Sequence, residues 1–124
     1  KERCGRIDGS VTGSSREAVI RDFAAGKVKI LAANPAAAGM GLDLSRAEVQ
    51  VYYSCAWSHE QRAQSEARTE GPKRTGGPAP VYDLEATILG KKTVDGTVLD
   101  ALELKSHLAA LVMGDLAAVF GKAV

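Results

Sequence analysis

A chain of 124 residues is enough for one compact domain and too short for two, so a function that needs a second domain must draw it from elsewhere. Hydrophobic residues at 45% and charged residues at 25% exclude wholesale disorder, and an aromatic fraction of only 5% leaves aliphatic and alanine packing to fill the core, which suits layered α/β architecture better than a β-sandwich. The formal net charge of +1 excludes a bulk electrostatic pull towards nucleic acid or anionic membrane, so any such contact rests on local basic clusters.

The chain opens without an initiating methionine on Lys1-Glu2-Arg3-Cys4-Gly5 and runs into Arg6-Ile7-Asp8-Gly9 as though a strand were already under way, which reads as a trimmed N-terminal side. Gly9 to Ser15 is small and polar. Ser14 followed three residues later by Glu17 has the form of a capping box, and Ala18, Ile20, Phe23 and Ala24 recur at helical spacing up to Gly26, placed for a left-handed C-cap. Val28 to Ala33 is an apolar run with β-branched residues and predicts a buried strand, ended by Asn34-Pro35. Ala36 to Leu44 is a small-residue loop in which Gly39 and Gly41 permit close backbone approach.

A further strand is expected over about Glu48 to Tyr53, then a polar helix from His59 to about Glu70, with Ser58 as N-cap and Gly71-Pro72 as stop. Lys73 to Pro80 is a loop rich in Gly, Pro and basic residues. Val81 to Leu84 predicts another strand, and Thr93 or Asp95 caps a long helix carrying Val98, Leu99, Leu102, Leu108, Leu111 and Val112. From Gly114 to Val124 an alanine-rich tail reads either as a short helix or as a frayed end. Strands alternating with helices of these lengths predict a mainly parallel sheet with helices on both faces, and ligands in such sheets collect at the carboxyl ends of strands.

Three blocks carry the chemistry. The first is Ile7-Asp8-Gly9-Ser10 leading to Arg16 and a helix ending Arg21-Asp22-Phe23. The second is Ala37-Ala38-Gly39-Met40-Gly41-Leu42-Asp43-Leu44, and the third is Tyr52-Tyr53-Ser54-Cys55-Ala56-Trp57-Ser58 followed by Gln64-Ser65-Glu66-Ala67-Arg68. In this order they resemble the C-terminal, second RecA-like lobe of Swi/Snf-type superfamily-two helicases and DNA translocases, of phage or bacterial character, with the second block similar to motif V and the third to the approach and opening of motif VI. Lys92-Thr93-Val94-Asp95 with Lys105 resembles that family's closing Thr-x-Asp and helical lysine, so the resemblance covers roughly Ile7 to Met113.

The resemblance implies a partial RecA-like lobe over 1–113, lacking its first strand and helix, with a tail over 114–124. It implies ATP and Mg2+ as cofactors, held only together with an N-terminal RecA-like lobe, and DNA as a second partner. Gly39, Gly41, Asp43 and Gln64 are then the nucleotide- and backbone-facing residues, and Arg68 offers a planar fork of donors to a transferring γ-phosphate. Where the family carries a second motif VI arginine this chain has Gly71, and Arg74, beyond Pro72, reaches that place only if the loop folds back. No Gly-x-x-x-x-Gly-Lys-Ser/Thr loop and no Asp-Glu pair after a strand occurs in the chain, so on its own it is expected to be inactive.

Plainer readings stand beside these. Gly39-Met40-Gly41 also fits a tight strand-to-helix turn, and Arg68 a solvated charge balanced by Glu66 and Glu70. Lys73-Arg74 with Lys91-Lys92 is either a DNA-tracking patch or solubilising charge. Trp57 reads as a packing residue rather than a base-stacking platform. Cys55 and His59 have no second pair to complete a metal site, and Cys4 and Cys55 read as reduced thiols of a cytoplasmic protein without a membrane partner. The alternative to a motor lobe is a non-catalytic nucleic-acid-binding or interaction module that keeps the same fold.

Overall fold

A computed structural model describes residues 3–36, 42–54, 56–71 and 73–120, the last six of these by their backbone alone. In chain order the elements are β1 (Cys4–Ile7), α1 (Gly13–Ala24), β2 (Ile30–Ala33), β3 (Gln50–Tyr52), α2 (His59–Thr69), β4 (Val81–Asp83), β5 (Thr87–Ile88), β6 (Lys91–Lys92) and α3 (Val94–Phe120). The strands form three two-stranded sheets, β1 with β2, β3 with β4 and β5 with β6. The mixed α/β class expected from the sequence is therefore present. The single, mainly parallel sheet with helices on both faces is present only in small part, because among the described residues the strands are two to four residues long and pair two by two. Parallel sheets need cover on both faces, whereas Ile30 and Val51 are more than half exposed.

The chain divides into two compact units, one of residues 1–50 and 63–81 and the other of residues 51–62 and 82–124. The first is organised by a β-α-β segment. β1 and β2 are parallel, with Cys4 opposite Ile30 and Ile7 opposite Ala33, and the pairing continues through Lys29 N–H to the Arg3 carbonyl (3.3 Å) and Asn34 N–H to the Ile7 carbonyl (2.9 Å). Parallel neighbours cannot be joined by a tight turn, so α1 supplies the crossover. Ile7, Phe23, Val28 and Ala79 are buried in this unit, and Ile7 is wholly inaccessible.

Both ends of α1 are decided by glycine. The helix starts at Gly13, whose φ of +56° turns the chain one residue before the expected cap; Thr12 occupies the N-cap position and makes no side-chain cap bond, so the Ser14–Glu17 capping box does not start this helix. At the other end the sequence expectation holds. Gly26 has a φ of +76°, its N–H bonds the Phe23 carbonyl (3.0 Å), and the Lys27 N–H bonds the Asp22 carbonyl (2.9 Å), the two bonds of a Schellman ending. A side chain at position 26 would meet that left-handed strain and also the Arg46 guanidinium, which lies against it.

In the second unit, Tyr52, Val98 and Leu102 are buried. Arg62 lies over the Tyr52 ring, 4.6 Å from its centroid, and forms a two-pronged ion pair with Asp83 at 2.7 and 2.9 Å. Val98 and Leu102 are one turn apart on α3, which presents a narrow apolar stripe and then continues through Gly114 to Phe120 without a break. The segment expected as a tail is thus helical as far as it is described. β5 and β6 form a hairpin that the sequence did not announce, with Thr87 opposite Lys92 and Ile88 opposite Lys91. Both turn residues have positive φ, Leu89 at 50° and Gly90 at 73°. Such turns favour Asn-Gly, and leucine there costs about 1–2 kcal/mol in backbone strain.

Candidate functional site

The expected site residues sit in the first unit, on the second half of α2 and on the segments either side of it. Ser58 caps α2 as anticipated: its hydroxyl accepts the Gln61 N–H at 3.3 Å and its carbonyl the Arg62 N–H at 3.2 Å. From that start the helical repeat puts Ser65 and Thr69 on one stripe, both buried, with the Thr69 hydroxyl donating to the Glu66 carbonyl at 2.8 Å. Gln64 and Arg68 follow the same four-residue step on the adjoining stripe, Gln64 exposed and Arg68 half-buried. Among the described residues the Arg68 guanidinium makes no ion pair, which sets it apart from Arg62 on the same helix.

Asp43 closes a local turn. Its carboxylate accepts the Ser45 hydroxyl at 2.6 Å and the Ser45 N–H at 3.0 Å, and the Lys73 ammonium stands 3.3 Å away. The Ser45 hydroxyl, then its backbone N–H, then Lys73 hold the carboxyl below its ordinary value of 3.8. Asp8 builds the same turn with Ser10, at 2.6 and 2.9 Å. The Asp43 turn is joined to α2 through the Leu44 N–H, which donates to the Arg68 carbonyl at 3.0 Å. Gly71 lies directly against it: a Cβ at that position would be 3.2 Å from an Asp43 carboxylate oxygen, close enough that the carboxylate would have to give by a few tenths of an ångström, and 3.4 Å from the Ser45 Cβ, an ordinary contact. Gly39 and Gly41 lie outside the described residues, as does Cys55.

The linkage has a definite sign. An aspartate whose folded carboxyl is held below its unfolded value contributes stability that is present above the unfolded value and lost as pH falls through the lower, folded one. Urea midpoints of the parent and of Asp43→Asn should therefore differ most at pH 6, begin to converge as the pH falls below about 4, and meet only below the lowered, folded value. A difference that stays constant down to pH 2.5 would mean that the charge on Asp43 contributes nothing to the turn.

Arg74 is engaged as well. Its Nε donates to the Gly77 carbonyl at 2.7 Å, and its Nη1 donates to the carbonyls of Ala47 at 2.6 Å and Ser45 at 3.3 Å. The Ser45–Ala47 carbonyls and Lys73 were not anticipated as parts of the site, and no local pattern could have shown them, since the partners are 27 to 29 residues apart. In the second unit the closing elements are bonded to the segments beside them. The Thr93 hydroxyl donates to the Ala86 carbonyl (2.6 Å), Asp95 accepts the Ala86 N–H (3.2 Å), and Lys105 Nζ donates to the Trp57 carbonyl (2.7 Å). Lys92 pairs with Asp100 at 2.9 Å, which raises its pKa. With Lys73 on Asp43 and Arg74 on carbonyls, three of the four cations of the proposed DNA-tracking patch have partners within the chain, which favours ordinary surface charge. Trp57 is about half exposed and is no core residue.

Among the described residues, no helix is long and apolar enough to cross a membrane. No curated protein matches the chain. One protein family does: the helicase conserved C-terminal domain matches residues 1–70, more than half of the chain, taking in β1, α1, β2, the Asp43 turn and α2 through Arg68. On that match the chain belongs to the helicase conserved C-terminal domain family.

Proposed function

We propose that this chain is the C-terminal lobe of an ATP-dependent DNA translocase or helicase of Swi/Snf type, presenting Arg68 to a nucleotide bound between two lobes. Family membership implies an N-terminal helicase lobe as partner and nucleic acid in general. The observation that carries the finer reading is the 3.0 Å bond from the Leu44 N–H to the Arg68 carbonyl, which ties the end of the motif V segment to the helix turn bearing Gln64 and Arg68. A half-buried guanidinium with no ion pair among the described residues fits the charge of a triphosphate. Asp43, already holding Ser45 and Lys73, fits a role in shaping the loop better than one as a free acceptor. ATP bound with Mg2+ supplies the phosphoryl group and its counter-charge; this chain's residues supply one guanidinium and the turn that holds its helix.

Arg74 is the weaker candidate for that charge, because taking it up means releasing its bonds to Gly77, Ala47 and Ser45. The glycine at 71 and the engaged Arg74 also favour a second reading, a lobe that binds nucleic acid without supporting turnover. Phosphate release separates the two. The chain alone should release no phosphate from ATP with excess DNA present, and joined to a helicase N-terminal lobe it should show DNA-stimulated release at least tenfold above that lobe alone. Equal rates with and without this chain would leave the non-catalytic reading standing.

A further inference from the structure

We infer that Arg74 is a positioning residue: its guanidinium clamps the Asp43–Ala47 turn onto the loop that follows α2, and so fixes the turn of α2 that presents Arg68. The inference deepens the proposed function at the same site, and only its link to Arg68 rests on that reading. Three carbonyls from two segments converge on one guanidinium, Ser45 and Ala47 from the turn and Gly77 from Arg74's own loop. A guanidinium holds donors on separate nitrogens fixed in one plane and so reaches all three, whereas the three donors of a lysine share a single nitrogen. The loop closes locally through the Arg74 N–H to the Gly71 carbonyl at 2.9 Å.

Gly71 completes the clamp. A Cβ there would stand 3.2 Å from an Asp43 carboxylate oxygen, so at the position where the family has its second motif VI arginine the glycine leaves the carboxylate undisturbed. The clamped turn is then internally knit by the Ala47 N–H to the Leu44 carbonyl (2.8 Å) and by Asp43 on Ser45, with Lys73 bridging from the same loop as Arg74. It is bonded to α2 through the Leu44 N–H to the Arg68 carbonyl. Loosening the turn therefore acts on the backbone of Arg68 itself.

The test uses the chain alone, in the absence of nucleotide and DNA. Amide hydrogen exchange read by NMR should show Leu44 and Ala47 exchanging at least tenfold faster in Arg74→Ala, while the β1–β2 amides change by less than twofold. Arg74→Lys should behave like Arg74→Ala, because the charge is kept and the fork is lost. The Arg68 Nε–H resonance should shift in both variants, and methylguanidinium at millimolar concentration should partly restore it in Arg74→Ala. Unchanged exchange at Leu44 and Ala47, or a uniform acceleration that includes β1–β2, overturns the clamp; an unmoved Arg68 resonance overturns the positioning of Arg68. Because no ATP enters these measurements, a chain that proves non-catalytic leaves their outcome intact, and a failed clamp leaves the turnover experiment intact.

Discussion

Arg68→Ala in the two-lobed protein is expected to lower ATP turnover about a thousandfold, with DNA affinity changed by less than about threefold. The magnitude is that of removing an arginine that stabilises charge developing on a transferring phosphoryl group, and the asymmetry follows because such charge is greatest in the transition state. Three arginines near this helix are candidates for so large an effect, and the structure separates them. Arg62 is held by Asp83 and the Tyr52 ring, and Arg74 by three carbonyls. Arg68 alone of the three makes no side-chain ion pair or hydrogen bond among the described residues, while its backbone is fixed by Leu44. Steady-state turnover beside a DNA titration decides the matter; turnover within threefold of the parent would reduce Arg68 to a surface charge.

The largest loss of stability is expected from Ile7→Ala, at about 3 kcal/mol, within the 2–5 kcal/mol span of large-to-alanine changes in cores. Ile7 is the one large side chain with no accessible surface among the described residues. It ends β1 opposite Ala33, where alanine offers nothing that could swing in to fill the space, and its carbonyl takes the Asn34 N–H that extends the sheet. Since domains of this size hold only about 5–15 kcal/mol in all, the loss should be plain in a urea titration as a lowered midpoint with an unchanged slope. Ile30→Ala in the paired strand is the control. With 56% of its surface exposed, Ile30 should cost under about 1 kcal/mol, and equal losses at the two positions would mean that burial does not set the ranking.

What the sequence determined by itself is what acts within a few residues. Ser58 as cap of α2, Gly26 as the left-handed end of α1 and the Val98–Leu102 stripe of α3 all rest on contacts three to five residues long, and each is where the pattern put it. The family was legible for a related reason: its residues stand in order along the linear chain, over a matched span of residues 1–70. One local reading failed because backbone conformation overrode side-chain preference: Gly13 took the chain into α1 ahead of the Ser14 box. The β5–β6 hairpin had no local signal, since Leu89 accepts a positive φ that its residue type does not advertise. The partners of Arg74 only the tertiary structure decided. Its place three residues beyond Gly71 suggested a displaced finger, yet a guanidinium seeks whatever oxygens lie within reach, and the fold brings the carbonyls of Ser45 and Ala47 there from 27 to 29 residues away.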